Sequence, residues 1–221
     1  MAWCENDRNG FQQHCKMNTG QININTTLGN YIYQYAKNDD YLNYLEIGTW
    51  NGLGSTKCFI EGLKDRKTET YKFYSLECND DKHLFAKNLY KNEKNVHILN
   101  DVLLNNMPND IYEIFPDLLI NNDYKYWNNI DFNNMKNKKL FFERDDIPEK
   151  FDVIFLDGGE FTTWYEYNII KDKCTVLILD DTNVNKCKKI VQDIKLSNRW
   201  KIIIESDERN GFVICEKIID T

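Results

Sequence analysis

Residues 45–56 read LEIGTWNGLGST. A short apolar run ends in a turn carrying Gly48, Gly52 and Gly54, and Ser55 follows where a helix can begin. Glycine lets the chain turn tightly and approach a ligand closely, and serine is a favoured helix cap. The segment therefore predicts strand, turn and helix, with Phe59, Ile60 and Leu63 on the inward helix face.

The same alternation continues outward from this turn. Residues 72–76, 96–99, 151–156 and 175–179 are short, nearly continuous apolar runs, as expected of parallel strands covered on both faces. Asp80 or Asp81 opens a helix carrying Leu84, Phe85 and Leu89. Residues 185–196 place Cys187, Ile190, Val191 and Ile194 at one helical stripe. Two last strands, 200–205 and 211–217, flank a polar stretch with the hairpin signal Asn210-Gly211. Alternating strands and helices closed by an antiparallel pair predict an α/β protein with a doubly wound, mostly parallel, seven-stranded sheet ending in an antiparallel hairpin. The whole of 1–221 is expected to be one domain. Its N-terminal segment, 1–41, holds a helix near 28–37 after a loose polar start, and residues 103–150 form a long insert rich in asparagine and aromatics, expected to be a lid or an acceptor-binding region.

Composition limits the function classes. The chain has 221 residues, 42% of them hydrophobic, with 35 acidic and 28 basic side chains and a formal charge of −7. That balance argues against a broad nucleic-acid surface. The longest apolar runs are too short to cross a bilayer, and no secretory leader pattern is visible, so neither nucleic acid nor membrane is an expected partner. Seven cysteines without a CxxC pair, three of them (Cys58, Cys187, Cys215) at apolar periodic positions, predict reduced buried thiols in a cytoplasmic protein. Three histidines without ligand-like spacing make a zinc site improbable. The abundance of asparagine, lysine and isoleucine looks like the codon bias of an AT-rich genome.

In a doubly wound sheet, ligands bind beyond the carboxyl ends of the strands. The first strand ends in Glu46-x-Gly48-x-x-x-Gly52-x-Gly54, a spacing different from the dinucleotide fingerprint GxGxxG. Glu46 at the head of the turn would repel a pyrophosphate but suits a cationic ligand. S-adenosylmethionine, with a sulfonium and an ammonium and no phosphate, meets that condition. Glu77, ending the second strand, is able to hold both hydroxyls of a ribose, and Asp101, just beyond the third, is placed for an adenine amino group. The fourth strand ends in Asp157-Gly158-Gly159-Glu160 and the fifth in Asp180-Asp181. Neighbouring strands lie about 4.8 Å apart, so these acids should converge. Three carboxylates in so small a space repel one another unless a cation or protons compensate, and a hard divalent ion, Mg²⁺ by default, is the natural solution. Helix capping by Asp180-Asp181 is the plain alternative.

The 45–56 segment resembles the first motif of class I S-adenosylmethionine-dependent methyltransferases. Its form E-I-G-x-x-x-G-x-x-S is similar to the branch containing the macrocin, mycinamicin and novobiocin sugar O-methyltransferases. The resemblance covers roughly residues 42–217 and implies a Rossmann-like methyltransferase fold. It implies that Glu46, Gly48 and Ser55, with the turn at Gly52, line the methionine part of the cofactor, Glu77 the ribose and Asp101 the adenine. It further implies a metal held by Asp157, Asp180 and Asp181, which would bind vicinal hydroxyls of the acceptor and lower the pKa of the reacting one. Relatives carry a base, often histidine, three residues after the strand-4 aspartate; here Glu160 stands there, a departure that leaves three readings, a base with a raised pKa, a further metal ligand or a drifted metal site, of which the base is the one expected. The expected activity is methyl transfer to a sugar hydroxyl, on a small molecule, a nucleotide-sugar or a glycan. The alternatives are a catechol-type O-methyltransferase and a catalytically silent cofactor-binding module. Relatives often form oligomers, so a homo-oligomer is compatible with the resemblance although no interface can be read from the sequence, and a sugar-type enzyme with this codon bias suggests a giant DNA virus, hence the host cytoplasm.

Overall fold

The structure is a computed structural model that describes residues 21–218; Cys4, Cys15 and His14 lie outside them. Seven strands, β1 (Asn43–Ile47), β2 (Lys72–Leu76), β3 (Val96–Leu99), β4 (Phe151–Leu156), β5 (Cys174–Asp180), β6 (Trp200–Ser206) and β7 (Phe212–Lys217), form one sheet. Their order is β3-β2-β1-β4-β5-β7-β6. The first five run parallel, while β7 is antiparallel to both β5 and β6. The strand order reverses between β1 and β4, so the ends of these two strands flank the crevice where ligands bind in such sheets.

Both faces of the sheet are covered, which is why its strands are apolar on both sides. Tyr44, Phe73, Val153, Phe155, Val176 and Ile178 pack on one face with α1 (Thr27–Lys37) and α2 (Ser55–Lys64), through Leu28, Ile32, Phe59 and Leu63. Leu45, Ile47, Leu76, Ile154, Leu156, Leu177 and Leu179 pack on the other with Tyr167, Ile170, Cys187, Ile190 and Ile194. These last residues come from α6 (Thr163–Ile170) and α7 (Asn185–Leu196), helices numbered after the short α4 and the insert helix α5 described below. The thiols of Cys58, Cys187 and Cys215 are buried in these cores. The helix α3 (Asp80–Leu89) begins at Asp80 as expected; in it Leu84, Phe85 and Leu89 are exposed and Ala86 alone is buried.

The 103–150 insert is ordered. It holds the short α4 (Ile111–Ile114), a 3₁₀ turn (Pro116–Leu119) and the 14-residue α5 (Asn122–Met135). Ile111, Phe115, Leu118 and Phe132 build a small core with Phe161 from the loop after β4. A two-residue parallel bridge, Asp101–Val102 with Lys139–Leu140, ties its ends together. No helix among the described residues is long and apolar enough to cross a membrane.

Candidate active site

The turn after β1 is built from backbone conformations that few residues tolerate. Gly48 and Gly52 have φ of 98° and 74°, and Trp50 has φ of 51°. A bulky residue in the left-handed region is a true outlier, of the kind that accumulates at functional sites. A Cβ on Gly48 would collide with the Asp157 carbonyl oxygen, so the glycine also lets the turn lie against the end of β4.

Two carboxylates hold this turn. Glu46 is fully buried beneath it and accepts hydrogen bonds from Ser55 Oγ (2.6 Å), Thr56 Oγ1 (2.7 Å) and Ser75 Oγ (2.5 Å). Burial pushes its carboxyl up to about 7 despite these three donors. Ser55 is thus not the cap of α2. The cap position is Gly54, which makes no side-chain cap bond, and the Ser55 hydroxyl is spent on Glu46. Glu46 and Ser55, two of the residues the resemblance assigns to the methionine part, support the turn from below. Glu77, also buried, accepts the Trp50 N–H at 2.7 Å and the Asn79 N–H at 2.8 Å. Burial raises its carboxyl above the usual range. Asp101 is buried and clasped by Arg144, whose Nε and Nη2 donate to its two oxygens, Nη2 at 3.0 Å. The carboxylate expected to meet an adenine is therefore already paired with the insert, an arrangement that anchors residues 103–150 to the end of β3.

The acids after β4 and β5 converge. Leu156 stands in register with Leu179, which brings the next residues, Asp157 and Asp180, side by side. One carboxylate oxygen from each of Asp157, Asp180 and Asp181 lies within 4.8 Å of the others. Asp181 has φ of 56°, a second left-handed non-glycine at this rim. The cluster has its own cations. Lys186 Nζ lies 2.7 Å from Asp157 Oδ1 and 2.6 Å from Asp181 Oδ2, and Arg209 Nη2 lies 3.0 Å from Asp180 Oδ2. Asn210 donates to Asp181 Oδ1 at 3.0 Å. Burial and the neighbouring acids raise the Asp180 carboxyl to about 7. Burial would also raise Asp181, but Lys186 and Asn210 outweigh it and hold that group below its ordinary value. Three carboxylates are a fitting donor set for a hard divalent ion. With Lys186 bridging two of them, the residues present do not fit a resident ion.

Glu160 is half-buried on the same rim, with its carboxyl raised chiefly by burial and lowered in part by the N–H groups of Asn185 and Lys186 at the start of α7. Trp164 and Tyr165, flanking this loop, serve packing: Trp164 lies against the core and the Tyr165 hydroxyl donates to Asp110 at 3.0 Å.

Sequence reasoning missed four side chains here. Lys186 and Arg209 are two; a lysine in the first turn of a helix, against the helix dipole, was the one available signal. Asp131, on α5, and Glu166, on α6, are the others. They press on Gly159 and Gly158, where a Cβ would collide with Asp131 Oδ2 and Glu166 Oε2 respectively. Burial raises Asp131 to about 6 and Glu166 to about 8, the Asp131 charge adding to the latter. Glu166 Oε2 and Thr162 Oγ1 are buried there without a hydrogen-bond partner. No spacing rule links α5 to that loop.

No protein-family model matches the chain, and no curated protein matches it in sequence. Solved structures do resemble it. An O-methyltransferase from Bacillus cereus, in complex with SAH (S-adenosylhomocysteine), superposes with a TM-score of 0.57 at 14% identity, covering 91% of this chain and 86% of its own. The SAH-bound methyltransferase PaMTH1 from Podospora anserina gives 0.54 at 15% identity, with 86% and 78% covered. The O-methyltransferase TomG from Streptomyces achromogenes, involved in tomaymycin synthesis and solved with SAM (S-adenosylmethionine), gives 0.54 at 12% identity, with 86% and 79% covered. At these identities the likeness speaks for architecture: the chain has the Rossmann-like methyltransferase fold.

Proposed function

We propose that this chain is an S-adenosylmethionine-dependent O-methyltransferase acting on a sugar hydroxyl, free, nucleotide-linked or within a glycan. The observation that carries the proposal is the pair of buried carboxylates, Glu46 beneath the turn after β1 and Glu77 clamping it from β2. With its carboxyl at about 7, Glu46 still adds partial negative charge beneath the place where a dinucleotide-binding sheet receives a pyrophosphate, and so favours a phosphate-free, cationic cofactor, while Glu77 stands where a ribose is held. Solved structures of the same fold that hold SAH or SAM support this reading.

Bound there, the cofactor supplies an electrophilic methyl group on sulfur. The residues of this chain do the rest. Glu77 faces the ribose hydroxyls, keeping acceptor capacity beyond its two backbone bonds, since each carboxylate oxygen has two lone pairs. The acceptor hydroxyl approaches from the β4–β5 side, where Asp157 positions it and Glu160 takes its proton. A carboxyl raised by burial is closer to the pKa a general base needs near neutrality. The insert covers this side through Asp131, which meets Gly159, and through its small core around Phe161 of the loop after β4. The likeness of the 45–56 motif to sugar O-methyltransferases supports a sugar as acceptor.

The test is transfer of labelled methyl from S-adenosylmethionine to a panel of sugar diols, nucleotide-sugars and catechols. Preferential labelling of sugars is expected. Labelling of catechols alone would overturn the acceptor class, and cofactor binding without transfer to any acceptor would overturn the enzymatic reading.

A further inference from the structure

Charge bookkeeping at the acid cluster points to a centre that needs no ion. Asp157, Asp180 and Asp181 bring three carboxyl groups to one rim, and Lys186 and Arg209 bring two positive charges into direct contact with them. The geometry is specific. The Lys186 ammonium is shared between carboxylates delivered by two different strands, at 2.7 and 2.6 Å, which are the lengths of strong charge-assisted bonds. Arg209 reaches the third acid from the β6–β7 loop, and the same loop is sewn to the turn after β5 by Thr182 N–H to Gly211 O (3.1 Å) and Asn183 N–H to Asn210 O (2.8 Å). Its cation is thus carried by a braced segment.

The position of Lys186 sharpens the point. It is the second residue of α7, where the helix dipole disfavours a cation, and its side chain is only 11% exposed. A lysine that merely solubilised the helix would extend into water. A divalent ion drawn to all three acids would compete with this ammonium for Asp157 and Asp181.

We propose that the Lys186 ammonium occupies the place a divalent ion would take among Asp157, Asp180 and Asp181, making this a metal-independent centre with a latent metal site beneath the lysine. The proposal itself concerns cation occupancy and stands apart from methyl transfer. Its consequence, that an acceptor hydroxyl is oriented by fixed charges instead of by chelation, rests on the functional reading above.

The experiment is Mn²⁺ binding by the full chain, read by electron paramagnetic resonance and by the shift of thermal unfolding with added Mn²⁺. Wild type is expected to bind no Mn²⁺ at the cluster and to show no thermal shift. Lys186→Met should bind it roughly tenfold or more tighter and be stabilised by it, and adding Asp157→Asn to that variant should abolish both effects. Should the Met variant not fold, Lys186→Gln is measured in its place. Wild type that binds Mn²⁺ with loss on Asp157→Asn overturns the proposal, as does a folded Lys186 variant that binds no better than wild type. Neither readout involves cofactor or acceptor, so a failure here is distinct from a failure of the methyltransferase reading.

Discussion

Glu77 Oε2 accepts the backbone N–H of Trp50 at 2.7 Å, at a residue held with φ of 51°. The end of β2 thereby fixes a strained turn at the end of β1. Glu77→Ala removes the acceptor of two backbone N–H groups at once and is expected to cost about 1–3 kcal/mol. Glu77→Gln keeps one acceptor and costs less. Both should weaken binding of S-adenosylhomocysteine, by roughly tenfold or more. Chemical denaturation and calorimetric titration separate the two effects. Binding unchanged in both variants would remove Glu77 from the cofactor site.

Gly48→Ala tests the approach of the turn to β4. The new methyl group meets the Asp157 carbonyl oxygen, and the backbone sits at φ of 98°, so strain and overlap add. A loss of roughly 2–4 kcal/mol is expected, measured as the denaturation midpoint. A variant as stable as wild type would mean that the turn lies farther from β4.

The burial of Glu46 makes stability depend on pH. Its folded pKa, about 7, lies above the unfolded value of about 4.3, so folding favours the protonated form. Its contribution is full below the unfolded value and is lost as pH rises through 7. The two values differ by an amount worth at most roughly 4 kcal/mol. Asp180 and Glu166 shift the same way, so Glu46→Gln removes one share. Thermal unfolding measured between pH 4.5 and 7.5 should fall less steeply for Glu46→Gln than for wild type. Parallel profiles would contradict the assignment.

The architecture was legible in the sequence because its signals are local. Continuous apolar runs marked the five parallel strands, and the stripe of Cys187, Ile190, Val191 and Ile194 marked α7; all four are buried. The convergence of Asp157 with Asp180 and Asp181 was legible too, since neighbouring strand ends place adjacent residues together. What escaped was pairing across long sequence distance. Arg144 reaches Asp101 across 43 residues, and Arg209 reaches Asp180 across 29. No periodicity encodes either. The sequence also carries no mark of which face α3 buries: Ala86 is buried beside Gly52, and Leu84, Phe85 and Leu89 stay exposed.

The Asp101–Arg144 pair should be structural. Arg144→Ala leaves a buried carboxylate without its partner, which costs about 3 kcal/mol or more, and frees the insert from the end of β3. Limited proteolysis should then cleave first within residues 103–150. Unchanged protease resistance would separate the insert's order from this pair.

The central claim is the nature of the ligand held at the ends of β1 and β2. Calorimetric titration of the wild-type chain with S-adenosylhomocysteine and, separately, with NAD tests it most directly. Saturable one-to-one binding of S-adenosylhomocysteine, lost in Glu77→Ala, with no heat from NAD is the predicted result. Binding of NAD at the same site, displaced by neither S-adenosylmethionine nor its demethylated product, would contradict it.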